Sequence, residues 1–208
     1  GKLWGVDART IQKAATIHAV AMVDPHGVDL VTGGIAPGTL EYASAESLAA
    51  RYPGIPFPDG WKANLLGVDL NLQYPAGWLQ AREIKFSQGY TRPGPRDYVG
   101  KAPLTQRESR ALADFTRYLD PALILAYHTQ GEQIYWKYDD IDVPGALALG
   151  QEFARLSGYA LAETPYVSGF AGYKDWFIKT WRRPGFTIEA GLGENPLPLN
   201  QFDSIYAK

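Results

Sequence analysis

The chain contains no cysteine, which excludes disulfides, thiolate metal ligands and a cysteine nucleophile. It has no uninterrupted apolar stretch of membrane-spanning length, and Gly1-Lys-Leu-Trp-Gly-Val-Asp7 lacks the basic, apolar and small-residue order of a signal peptide. No charge of one sign dominates: the net charge is -2, and the 20 lysines and arginines are scattered rather than run together. Neither a nucleic-acid partner nor a membrane is therefore expected. Familiar catalytic signatures are missing too: there is no His-Glu-x-x-His, no Gly-x-Ser-x-Gly elbow, no phosphate-binding glycine loop and no dinucleotide fingerprint. What is present, 208 residues at 46% hydrophobic and 13% aromatic, suffices for one domain with a substantial core.

The most informative stretch is Ala122-Leu-Ile-Leu-Ala-Tyr-His128-Thr-Gln-Gly-Glu132. Its apolar run without alternation predicts a strand buried on both faces, as in the sheet of an α/β domain. His128 then falls at the carboxyl end, where ligands bind in open α/β sheets; the alternative is a hydrogen-bonded structural histidine. His128 and Glu132 stand four apart and could share a metal on a helix, but the preceding strand and Gly131 argue against that geometry. Gly185-Phe-Thr-Ile-Glu189-Ala-Gly191 predicts a second buried strand with a carboxylate in it. A glutamate among apolar neighbours is costly to bury unless paired or used. Desolvation would raise its pKa toward the range of a general base, and the competing reading is an ion pair with Arg182 or Arg183.

The remaining elements follow from periodicity and punctuation. Residues 1–15, with Trp4, Val6, Ile11 and Ala14, predict a short helix or turn. Thr16–Val23 predicts a strand ended by the turn Asp24-Pro-His26-Gly27, with His18 structural and His26 a turn residue. Helices are predicted over Ser44–Tyr52, after the capping box Thr105-Gln-Arg-Glu108 with Ala111, Leu112, Phe115 and Leu119 on one face, and over Pro144–Leu156. Pro75 to Pro103 reads as a long functional loop. The alternation of helices and strands points to the α/β class.

Taken in order, the Asp24-Pro-His-Gly27 turn, Gly67-Val-Asp-Leu-Asn71, the strand-end His128 and Phe186-Thr-Ile-Glu189 resemble the zinc carboxypeptidase superfamily, the M14 metallopeptidases. The resemblance runs from about Thr16 to Tyr206. Asp69-Leu-Asn-Leu-Gln-Tyr-Pro-Ala-Gly-Trp78, Pro95-Arg-Asp-Tyr-Val-Gly100 and His128–Trp136 are most similar to bacterial γ-D-glutamyl-L-diamino acid endopeptidases, which act on peptidoglycan peptides. It implies a mixed central β-sheet flanked by helices. It also implies a zinc cofactor with His128 as a ligand, Glu189 as the catalytic glutamate, Lys62 as the group that stabilises the oxyanion, and Asn71 and Tyr166 on the substrate. A peptidoglycan-derived peptide substrate goes with it, while the compartment stays open, a bacterial cell-wall-associated or secreted setting being favoured over a cytoplasmic one.

Two departures qualify that picture. Where carboxypeptidases carry an arginine that grips a free C-terminal carboxylate, this chain has Leu72; losing a bidentate clamp argues against ordinary C-terminal trimming and suits the endopeptidase branch. The family's first two zinc ligands come from a His-x-x-Glu element, and the chain has none. We therefore expect residues 1–208 to be one partial peptidase domain, lacking an N-terminal segment and with its C-terminal helix cut short. On its own it is expected to be inactive, and a separate N-terminal segment packed against Thr16–Val23 would be its partner. The alternatives are an ordinary metallocarboxypeptidase, a non-catalytic muropeptide-binding module using Trp78, Tyr90, Tyr98, Tyr135 and Trp136, and a carbohydrate-binding or structural domain.

Overall fold

The computed structural model describes residues 13–208, together with Thr10 and the short antiparallel pair β1 (Lys2–Leu3) and β2 (Val6–Asp7). That pair occupies the front of residues 1–15, where a helix or turn is expected, and the helical residues Thr10, Lys13 and Ala14 follow it; Trp4 and Ile11 lie outside the described residues. The helices are α1 (Pro25–Thr32), α2 (Leu40–Ala49), α3 (Trp78–Ser87), α4 (Arg107–Leu119), α5 (Ala146–Ser157), α6 (Tyr173–Trp181) and α7 (Phe202–Tyr206). Strands β3 (Ile124–His128), β4 (Gln133–Tyr135), β5 (Ala160–Ala162) and β6 (Gly185–Glu189) form one mixed sheet in the order β3-β6-β4-β5. The architecture is the expected α/β arrangement of a mixed sheet flanked by helices.

Helix α4 buries Ser109, Ala113 and Thr116 along one stripe, as a 3.6-residue period requires. It stops at Asp120, whose φ of 46° is left-handed, and Pro121 cannot extend it. The Asp120 carboxylate then accepts from Trp181 Nε1 at 3.0 Å and from Arg183 at 2.8 Å. One aspartate thus clamps the entry of β3 to the entry of β6, and the two strands run parallel in register from Ile124–Gly185 to His128–Glu189. Side chains alternate along β6. Phe186 and Ile188 enter a core with Ile134 and Tyr159, where Phe153 of α5 meets Phe186 edge-on at 5.1 Å. On the other face a Cβ at Gly185 would stand 3.2 Å from Phe177 of α6, so that helix lies directly against the strand.

Several expectations are corrected. Thr16–Val23 is not a strand: it joins no ladder among the described residues, and Ile17 is 71% exposed. β-Branched composition favours a strand only where a neighbouring strand and a face to bury exist. Strand β3 is not buried on both faces, because it is an edge strand of the sheet among the described residues; Leu125 is 40% and Tyr127 71% exposed. The turn at Asp24 is a helix start, with the Asp24 side chain accepting from Gly27 N at 3.1 Å and Pro25 in the first turn. The stretch from 75 to 103 holds α3. The Thr105 capping box does not form: Thr105 N and Oγ1 both donate to Gln73 Oε1 at 2.9 Å, and Gln106 is the N-cap. Buried Gln73 thus holds the approach to the helix, accepting also from Gln106 N at 3.2 Å, and no side chain caps its first turn.

Candidate active site

The sheet register builds the site. Glu189 pairs with His128 of β3 on one side and with Gln133 of β4 on the other, so the three side chains stand in one row on one face, neighbours about 4.8 Å apart along the hydrogen-bonding direction. Ala190 N donates to His128 O at 2.8 Å and Gly131 N to Gly191 O at 2.8 Å, holding the two strand exits together beyond the row.

Lys62 faces this row from a separate loop. Trp61 is buried and donates Nε1 to Ala63 O at 2.6 Å, while buried Asn64 accepts from Leu66 N and Val68 N at 3.2 and 3.1 Å, so residues 61–68 form a rigid turn. Helix α1 presses on it: a Cβ at Gly27 would lie 2.7 Å from Ala63 O, a contact only glycine admits. Burial and then the Lys62 charge lower the His128 pKa, which keeps the imidazole neutral. Burial raises the Glu189 pKa, and Lys62 partly opposes that. For Lys62 itself, partial desolvation and the like charge of Arg96 lower the pKa. Glu189 also raises the pKa of Tyr135, after burial, which places that phenol at the row's β4 end.

The ion pair of Glu189 with Arg182 or Arg183 does not form, since Arg183 is engaged by Asp120. Glu132, at φ 50°, pairs with Lys208 rather than facing a metal with His128. Asn71 sits on the 3-10 turn Leu70–Leu72, its Oδ1 accepting from Tyr173 N at 3.1 Å, which ties this turn to the start of α6. Leu72 is 8% exposed in a cluster with Ala81, Val99 and Ala171, so it packs the core and offers no face to a ligand. Tyr166 is exposed and leans on Phe170 at 5.1 Å; among the described residues no interaction joins it to His128 or Glu189. Of the aromatic residues weighed for a binding groove, Tyr98 is buried, Tyr90 stacks on Tyr52 at 5.8 Å, and Trp78 donates to Val99 O at 3.2 Å.

Sequence reasoning missed the group behind Lys62, although Asp69 and Pro95-Arg-Asp lie within the stretches that carry the resemblance. Lys62 N donates to Pro95 O at 2.7 Å and Asp69 N to Tyr98 O at 2.9 Å. Asp69 accepts from Asn71 N at 3.2 Å and Asp97 N at 3.1 Å. Burial, then the charge of Asp97, pushes the Asp69 carboxyl up to about 6. Asp97 is held below its ordinary value, because Lys85 at 2.6 Å and Arg96 at 2.8 Å overcome the effect of burial. Asp69 holds its proton more tightly folded than unfolded. Its contribution to stability is therefore full below about pH 4 and fades as pH rises through about 6, a change of about 3 kcal/mol. Asp69→Asn is expected to remove that slope in urea unfolding measured from pH 4 to 7; an unchanged slope would show that Asp69 titrates normally.

A neutral, desolvated imidazole at a strand end suits a zinc ligand. Among the described residues no group of three His, Cys, Asp or Glu side chains could hold a metal, so His128 fits as one ligand and its companions would have to come from elsewhere.

A mixed sheet with a histidine and a glutamate in register at the ends of two parallel strands, and a lysine within reach of both, makes this the candidate site. Residues 7–205 match the family model described as zinc carboxypeptidase, Peptidase M14, and the chain belongs to that family. It is 45% identical over 202 residues to gamma-D-glutamyl-L-diamino acid endopeptidase 1 of Lysinibacillus sphaericus, covering 97% of this chain and 49% of the relative. It is 38% identical over 193 residues to the uncharacterized protein YqgT of Bacillus subtilis, covering 93% and 50%. The chain thus spans about half the length of these relatives. Among solved structures, thrombin-activatable fibrinolysis inhibitor superposes with a TM-score of 0.55 at 18% identity, over 67% of this chain and 38% of that one. Carboxypeptidase A from Helicoverpa armigera gives 0.51 at 19%, over 64% and 35%. Both share the fold.

Proposed function

We propose that the protein is a zinc peptidase that hydrolyses the amide between γ-linked D-glutamate and a diamino acid in peptidoglycan peptides. The observation that carries this reading is the Glu189–His128 pair, in register at the sheet's carboxyl end and faced by Lys62, in a chain 45% identical to an endopeptidase named for that bond. His128 would hold the metal together with ligands outside the described residues. When bound, zinc supplies a Lewis acid that acidifies water and polarises a carbonyl.

The chain's own residues do the rest. Glu189, its pKa raised by burial, accepts the proton of the attacking water as the new C–O bond forms, and returns it to the departing amine as the C–N bond breaks. Lys62 stabilises the negative charge that develops on the carbonyl oxygen. Asn71, on the Leu70–Leu72 turn, and Tyr166, on its exposed loop, would bind the substrate peptide.

We further propose that residues 1–208 alone are inactive until a segment supplying the missing ligands packs beside Thr16–Val23. The purified 208-residue chain is expected to bind far less than one zinc per chain, and His128→Ala to abolish the remainder. In the full-length protein, zinc removal by a chelator should stop cleavage of a diaminopimelate-containing muropeptide and zinc should restore it. Muropeptide left intact while ordinary peptides lose C-terminal residues would overturn the substrate assignment. Binding without hydrolysis, indifferent to chelator, would instead identify a muropeptide-binding module.

A further inference from the structure

Leu72 lies in the core where a carboxylate clamp would be looked for, yet a γ-linked glutamyl amide carries free carboxylates on both sides of the bond to be cut. Arg96 stands close enough to Lys62 for its charge to lower the Lys62 pKa, after burial. The bond from Lys62 N to Pro95 O, 2.7 Å long, lays residues 95–97 alongside the Lys62 turn. Asp97, whose N–H is anchored on Asp69 at 3.1 Å, takes Arg96 Nε at 2.8 Å. That single bond fixes the guanidinium plane and leaves both Nη groups without a protein partner among the described residues. Asp97 is shared with Lys85 at 2.6 Å, so it only partly offsets the charge of Arg96. Lys62 makes no ion pair among the described residues. Lys62 thus lies within electrostatic reach of both Glu189 and Arg96.

We propose that Arg96 is a specificity residue that receives a substrate carboxylate beside the scissile amide, taking it with its two free Nη groups. An arginine oriented through Nε is suited to this, because its fork matches a carboxylate bidentately where a lysine cannot. The inference rests on the peptide-hydrolase reading above and adds to it the feature of the substrate that is read.

The test is titration calorimetry on the full-length, zinc-loaded protein in the Glu189→Gln background, which binds the peptides without cutting them, using L-alanyl-γ-D-glutamyl-diaminopimelate and two analogues. One analogue is amidated at the glutamyl α-carboxylate, the other at the diaminopimelate carboxylate next to the cleaved amide. One amidation is expected to weaken binding about tenfold to a hundredfold, and which one does so identifies the carboxylate. Arg96→Gln should weaken the free acid to the same degree, leave that amide nearly unaffected, and so erase the preference; Arg96→Lys should restore part of it. Equal weakening of all three peptides by Arg96→Gln, or a preference that survives it, overturns the role of Arg96 alone. Failure of the Glu189→Gln protein with Arg96 intact to bind any of them, together with no cleavage of the free acid by the wild type, overturns the peptide-hydrolase reading, and the inference with it.

Discussion

Glu189→Gln is expected to lower kcat in the full-length, zinc-loaded protein by a factor on the order of 10³–10⁴, with KM changed no more than about twofold. Glutamine keeps the size and the hydrogen-bonding oxygen but cannot accept a proton. The loss is placed in the chemical step because Glu189 stands in register with His128 and faces Lys62, and burial favours its protonated form. If Glu189 merely balanced charge, the change would alter stability and little else. Paired measurement of kcat and of urea unfolding separates the two outcomes. An enzyme with near-normal turnover after Glu189→Gln would remove the glutamate from the mechanism.

Lys174→Met is expected to destabilise the fold by about 3–5 kcal/mol. Lys174 and Asp175 are adjacent on α6, each with a side chain 4% exposed, and their charges meet at 2.6 Å. Lys174 Nζ also donates to Lys137 O at 2.6 Å, tying α6 to the exit of β4, and Asp175 Oδ2 accepts from Gly172 N at 3.1 Å at the helix start. Removing the lysine strands a carboxylate in the interior. Burial already pushes the Asp175 carboxyl up, so the penalty should shrink as pH falls and the group takes a proton. Lys174→Met/Asp175→Asn removes both charges and is expected to recover about half or more of the loss. Strict additivity in chemical denaturation would mean that the pair is not coupled.

The local patterns were read at different depths. Helices α2, α4 and α5 and strand β6 follow from apolar period and punctuation, with ends shifted by a few residues because fraying and capping are settled by neighbours. The start of α4 shows this: Thr105 and Glu108 have the right spacing, but Gln73, thirty-two residues before Thr105, accepts from Thr105 N and Gln106 N, and the box does not form. Thr16–Val23 reads as a strand from composition and is none, since a ladder needs a second strand that no single segment carries. Arg96, Asp97 and Asp69 show no local signal of a cluster; only the turn that brings residue 62 to residue 95 makes them one.

By itself the sequence determined the chemistry available: a histidine and a glutamate each at the end of an apolar run, no thiol, no His-x-x-Glu, and a leucine where a carboxylate clamp would stand. These are properties of residue type and near spacing, which periodicity and side-chain chemistry make readable. Only the tertiary structure decided that His128, Glu189 and Gln133 share one row, that Lys62 answers them from another loop, and that Leu72 turns inward while Arg96 stands free. Strand order, register and loop-to-loop contact depend on pairing between distant segments, whose energies belong to both partners at once and are written in neither alone.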